Sequence, residues 1–125
     1  MQAEISIAIR FVDETLYDEE QEALALALAR QIRAARGELG EVERVPTVAP
    51  PGSKSLGGHV VGVVVALLSV VNIKAFLAFI YERLANQAIE LNVETDGRKI
   101  QLKARTQDEL RAAIEAAERL VALKV

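Results

Sequence analysis

The chain has 125 residues, no cysteine, a single histidine and a formal charge of −3. That length suits one domain able to bury roughly two-thirds of the surface its unfolded form exposes. The missing thiols exclude thiol catalysis, thiolate metal sites and disulfides, and the slight negative charge excludes a global pull toward nucleic acid or anionic lipid. The start, MQAEISIAIRFVDE, lacks a basic opening, an apolar run and a small-residue cleavage site, so a cytoplasmic protein without a secretory signal is expected.

The first element alternates. Ala3, Ile5, Ile7, Ile9 and Phe11 fall on one face, with Glu4, Ser6 and Arg10 on the other, the pattern of a half-buried strand. DEEQ then reads as a helix start, with Asp18 as cap, Gln21 at the reciprocal position and acids suiting the positive helix end. Leu24, Leu28 and Ile32 give that helix its stripe, and Gly37 is the expected stop. A weaker strand is expected in EVERVPTV, held to an edge or cut short by Pro46. The loop APPGSKSLGG leads into GGHVVGVVVALLSVVNIKAFLAFIYERLA, residues 57–85.

Downstream, AIELNVETDGRKIQLKAR places Asp96-Gly97 between two alternating runs, a strong hairpin signal. A two-residue turn sets the register: Thr95 faces Arg98, Val93 faces Ile100, Leu91 faces Leu102 and Ile89 faces Ala104. The other face then sets Glu94 against Lys99 and Glu90 against Lys103. TQDE has capping-box spacing, and Leu110, Ile114, Ala117 and Val121 stripe the closing helix. The whole predicts one α+β domain over residues 1–125. Its mixed sheet has about four strands, in the order strand, helix, strand, apolar helical segment, strand, strand, helix, with the helices packed on one face.

The apolar segment raises a choice between membrane, core and interface. Asn72 is a plausible cap, and charge returns at Lys74, Glu82 and Arg83, which predicts two short helical pieces with a break near 69–72. Periodicity alone does not separate helix from strand in a valine-rich run, and that alternative stays open. Fourteen Val, Leu, Ile and Phe residues lie between Val60 and Tyr81. At about −0.3 to −0.6 kcal/mol each they outweigh the roughly 3 kcal/mol cost of Lys74 at the centre of a span. Topology is the stronger objection, because a span would split a small sheet into two-stranded halves that are marginal alone. Core or interface packing is the preferred reading, with peripheral or conditional membrane contact behind it.

Motifs of chemistry are sparse. GSKS at Gly52–Ser55 lacks the adjacent Gly-Lys and the earlier glycine of a phosphate loop, since Ser53 intervenes and Thr47 stands where that glycine belongs. His59 alone makes no multi-histidine metal site. Asp13, Glu14, Asp18, Glu19 and Glu20 read as a solvated loop and helix start. The cations Arg98, Lys99, Lys103 and Arg105 have no interleaved aromatics for base stacking. Ser6, Ser53, Ser55 and Ser69 show no base-and-orienter arrangement. No catalytic residue, cofactor or metal is expected, and neither is nucleic-acid binding.

From Pro50 through Ala104, the Pro/Gly loop, the apolar stretch, IKAFLAFIYERL and the Asp-Gly hairpin follow in order. With the opening strand and helix and the closing helix, this resembles the effector-associated constant component 1 family of bacterial proteins. The resemblance implies a place in a conflict or immunity system, as a non-enzymatic adaptor linking a signalling NTPase module to an effector such as a trypsin-like or caspase-like peptidase. It supplies no catalytic residues. On this reading the apolar segment makes partner or self contacts, with Val64, Leu68, Phe76, Phe79, Tyr81 and Arg83 as candidates. A homo-oligomer is expected if residues 57–85 exceed what one sheet can cover. The rival reading is a membrane-active effector that hides the same segment until triggered.

Overall fold

A computed structural model describes residues 4–13, 15–35, 41–43, 62–95 and 97–122. Strand β1 (Glu4–Phe11) is followed by α1 (Asp18–Ala34), β2 (Glu41–Glu43) and β3 (Val63–Ser69). A 3₁₀ turn at Val70–Asn72 leads into α2 (Ile73–Leu84), and β4 (Ile89–Thr95), β5 (Arg98–Ala104) and α3 (Gln107–Ala122) complete the chain. The α+β class and the order of helices and strands hold. Among the described residues the sheet is not mixed: every ladder is antiparallel, and its order is β2-β3-β1-β4-β5, with three-residue β2 as a short fifth strand.

The main correction concerns the apolar segment. Residues 63–69 form a strand rather than the first of two helical pieces. The reason is local as well as tertiary. Seven of the twelve residues from 60 to 71 are valine, and β-branched side chains lose little on a pleated surface while crowding a helical turn. Residues 63–68 are all apolar, so the sequence shows no alternation even though burial alternates along the strand. Asn72 does occupy the cap position of α2, but its side-chain amide donates to Ser69 Oγ at 3.2 Å instead of capping the helix.

The core lies between one sheet face and the helices. Ile5, Ile7, Ile9 and Phe11 of β1 are buried against Val64, Ala66 and Leu68 of β3 and Ile89, Leu91 and Val93 of β4. Register explains the match, because Ile5, Ile7 and Ile9 stand opposite Leu68, Ala66 and Val64 on one side and Thr95, Val93 and Leu91 on the other. Helix α1 lies over β1, β2 and β3 and contributes Ala25, Leu28, Ala29 and Ile32. Helix α3 lies over β4 and β5 and contributes Leu110, Ala113, Ala117 and Val121, and α2 packs against it. The hairpin pairs in the register expected from its turn, all the way from Thr95–Arg98 to Ile89–Ala104. Gly97 has φ +81°, a conformation open to glycine; Asp96 lies outside the described residues.

Helix ends differ in detail. The cap of α1 is Tyr17, one residue before Asp18, because Glu20 then sits three residues on and its carboxylate accepts the Tyr17 N–H at 2.8 Å. At α3, Thr106 Oγ1 accepts the Glu109 N–H at 3.1 Å, while Glu109 reaches back to the Arg105 N–H at 2.7 Å. Gly62 joins β3 to the rest. Its φ is +68°, its carbonyl accepts the Phe11 N–H at 2.8 Å, and an added Cβ would lie 3.4 Å from the Phe11 carbonyl oxygen. Gly37, Pro46, the GSKS loop and His59 lie outside the described residues.

Candidate functional site

The fold divides the candidate residues by burial. Val64 is wholly buried and Leu68 is 2% exposed, both on the covered face of β3, where they hold the sheet to the helices. Phe76 is likewise wholly buried, on the stripe that α2 forms with Ile73, Leu77, Ile80 and Leu84. None of the three reaches a surface in this fold. Phe79, Tyr81 and Arg83 do, but on different flanks of α2. Phe79 and Arg83 are four residues apart and share a side, with the guanidinium 4.7 Å from the ring centroid. Tyr81 is two residues from each, and side chains at that spacing do not face one another.

Tyr81 instead meets α3. Its hydroxyl accepts from Gln107 Nε2 at 2.8 Å and from Arg111 Nη2 at 3.0 Å, and the Arg111 guanidinium lies 5.7 Å from the ring centroid. The Tyr81 hydroxyl is the main cause that raises the Arg111 pKa above its ordinary value, with Asp108 and Glu115 adding attraction. Between the helices runs an open cleft of about 260 Å³. Leu77, Ala78 and Ile114 supply its apolar surface, and Lys74, Tyr81, Arg111, Glu115 and Glu118 supply polar groups around it. Lys74, conspicuous in the sequence as a charge inside an apolar run, thus stands at the exposed side of this cleft.

The cleft combines an aromatic ring held by two donors with an arginine, two residue types enriched at interface hot spots, and with side chains of both charges. Among the described residues no group of three His, Cys, Asp or Glu side chains could hold a metal ion. Asp13, part of the acidic stretch, accepts from Thr15 Oγ1 at 2.6 Å and from the Thr15 N–H at 2.9 Å. These bonds, the hydroxyl's first, lower its carboxyl pKa.

Gln107, Arg111, Glu115 and Glu118 were invisible as site residues in the sequence. Helix α3 announces only its apolar stripe, and nothing local says that residue 111 will meet residue 81. The intervening hairpin brings them together by returning the chain along β4, so that α3 lies beside α2.

The family model of Effector Associated Constant Component 1 matches residues 17–121, and the chain belongs to that family. No match is found among curated proteins or among solved structures.

Proposed function

We propose that this member of the effector-associated family is a non-catalytic adaptor. It would join an effector, of the peptidase kind, to a signalling NTPase module in a bacterial conflict or immunity system, working in the cytoplasm. The family's description ties its members to effectors. The observation that carries a contact role for this chain is the cleft between α2 and α3, where Tyr81 is held ready by Gln107 and Arg111. Phe79 and Arg83, on the other flank of α2, form a second contact area for another partner or another copy of the chain.

Reconstitution tests this. The chain is co-expressed with a candidate NTPase module and a candidate peptidase-type effector from the same genome, and complexes are recovered through a tag on the effector. The NTPase module should be recovered only when the adaptor is present. Tyr81→Ser and Arg111→Ala should each reduce that recovery while the circular dichroism of the adaptor stays unchanged. Direct binding of effector to NTPase without this chain, or a complex indifferent to both substitutions, would refute the reading.

The membrane-active alternative needs residues 63–69 to leave the sheet and α2 to leave the core. Residues 63–69 are paired with β1 along their whole length and with β2 at residues 65–67, and no helix among the described residues is long and apolar enough to cross a membrane. Liposome flotation and leakage measure it directly: an adaptor neither floats nor releases dye.

A further inference from the structure

Strand β5 ends the sheet. It pairs with β4 on one side, and on the other side no described residue hydrogen-bonds to it. The two-residue connection makes Thr95 and Arg98 a pair that exchanges both backbone bonds, and bonding alternates from there. Arg98, Ile100, Leu102 and Ala104 therefore aim their amide and carbonyl groups at β4. Lys99, Gln101 and Lys103 aim theirs outward. No proline or bulge interrupts these seven residues, so the edge can template another strand.

Its side chains say what kind of strand. Lys99, Gln101 and Lys103 are exposed on the open face. Ile100 and Leu102 lie on the helix-covered face yet remain half exposed, whereas Val93 and Leu91 opposite them are wholly buried. The inner face is thus left unfinished where a neighbour would complete it. A second copy is a poor neighbour. Antiparallel self-pairing centred on Gln101 sets Lys99 against Lys103 of the copy, and parallel in-register pairing sets each lysine against itself.

We propose that the β5 edge receives an extended acidic segment of a partner protein as a sixth strand. Carboxylates four residues apart would face Lys99 and Lys103, and the apolar residues between them would cover Ile100 and Leu102. The molecule already contains this pattern in β4, where Glu90 and Glu94 face Lys103 and Lys99 while Leu91 and Val93 point inward. Each lysine would then stand between two carboxylates, just as Glu90 stands between Arg10 and Lys103. The same lysines that keep copies apart select an acidic partner. This edge shares no residue with the cleft between α2 and α3, so it stands independently of the adaptor reading.

The probe is a fluorescein-labelled peptide with the sequence of residues 88–95, compared with one carrying lysine in place of both glutamates. Fluorescence anisotropy with the full chain should show the acidic peptide binding about tenfold more tightly, a margin that shrinks with added salt. Hydrogen exchange should slow at the amides of Lys99, Gln101 and Lys103. The double variant K99E/K103E, its fold checked by circular dichroism, should reverse the preference. Should that variant not fold, an acidic peptide N-methylated at the amides that face β5 replaces it, and should not bind the native chain. Equal binding of both peptides, an unreversed preference, tight binding of the N-methylated peptide, or exchange slowed elsewhere would overturn the proposal. So would self-association through β5.

Discussion

Residues 63–69 and 73–84 are neighbouring halves of one apolar segment, and the fold uses them in opposite ways. In the first half every residue is buried or half-buried, because the strand pairs with β1 along its whole length and with β2 at residues 65–67, and lies under α1 on one face. In the second half Ile73, Phe76, Leu77, Ile80 and Leu84 are buried, while Lys74, Ala75, Ala78, Glu82 and Arg83 are exposed. A helix lying on a core buries one stripe and keeps the other for solvent or partners. Apolar composition alone therefore does not mark a surface for binding. The half with charges interrupting it has an exposed flank, and the purer half lies within the sheet.

A buried charge breaks the comparison most severely. Val64→Asp should cost more than about 4 kcal/mol and abolish cooperative unfolding, since an unpaired carboxylate has no partner on that face. Ala75→Asp, in the exposed first turn of α2, should change stability by no more than about 0.5 kcal/mol in urea titrations. Comparable losses at the two positions would show that the halves are not distinct.

Within α2 the same contrast appears between its two phenylalanines. Phe76→Ala should cost about 3–5 kcal/mol, and half-buried Phe79→Ala about 1–2 kcal/mol. Chemical denaturation of both variants measures this directly. Equal costs would move Phe79 into the core and remove it from the contact area.

A smaller effect, of opposite sign, is expected at the end of β4. Thr95 is 1% exposed and its hydroxyl has no hydrogen-bond partner among the described residues. Thr95→Val keeps the shape and removes the unsatisfied group, so it should stabilise by about 1 kcal/mol. A loss of stability would mean that the hydroxyl has a partner.

The smallest effect is one of pH. Asp13 has its pKa lowered by bonds from Thr15, so it contributes stability above its ordinary value and loses it as the pH falls through the carboxylate range. Thr15→Val should lower the thermal midpoint slightly at neutral pH. The gap to the native chain should close in acid, and a gap that persists there would assign the effect to packing instead.

Much of this molecule was legible in residue order. The hairpin register followed from Asp96-Gly97 and two alternating faces, and the apolar stripes of α1 and α3 followed from four-residue spacing. Both are short-range patterns, decided by the pitch of one element. Strand β3 misled because its signal was composition without period: both of its faces carry apolar residues, with Val65 and Leu67 half-buried on one and Val64, Ala66 and Leu68 buried on the other. The site was less legible still. Tyr81 was a candidate on residue type alone, whereas its partners Gln107 and Arg111 gave no sign.

The sequence by itself thus determined the class of the domain, the order of its helices and strands, the hairpin pairing and the residues of most of the core. Tertiary structure decided which half of the apolar segment became a central strand and which flank of α2 met α3. Among the described residues it also left β5 as an edge. The reason is range. Periodicity records what one element needs from its two faces, while adjacency between β3 and β1, or between Tyr81 and Arg111, depends on chain closure over tens of residues that no local pattern encodes.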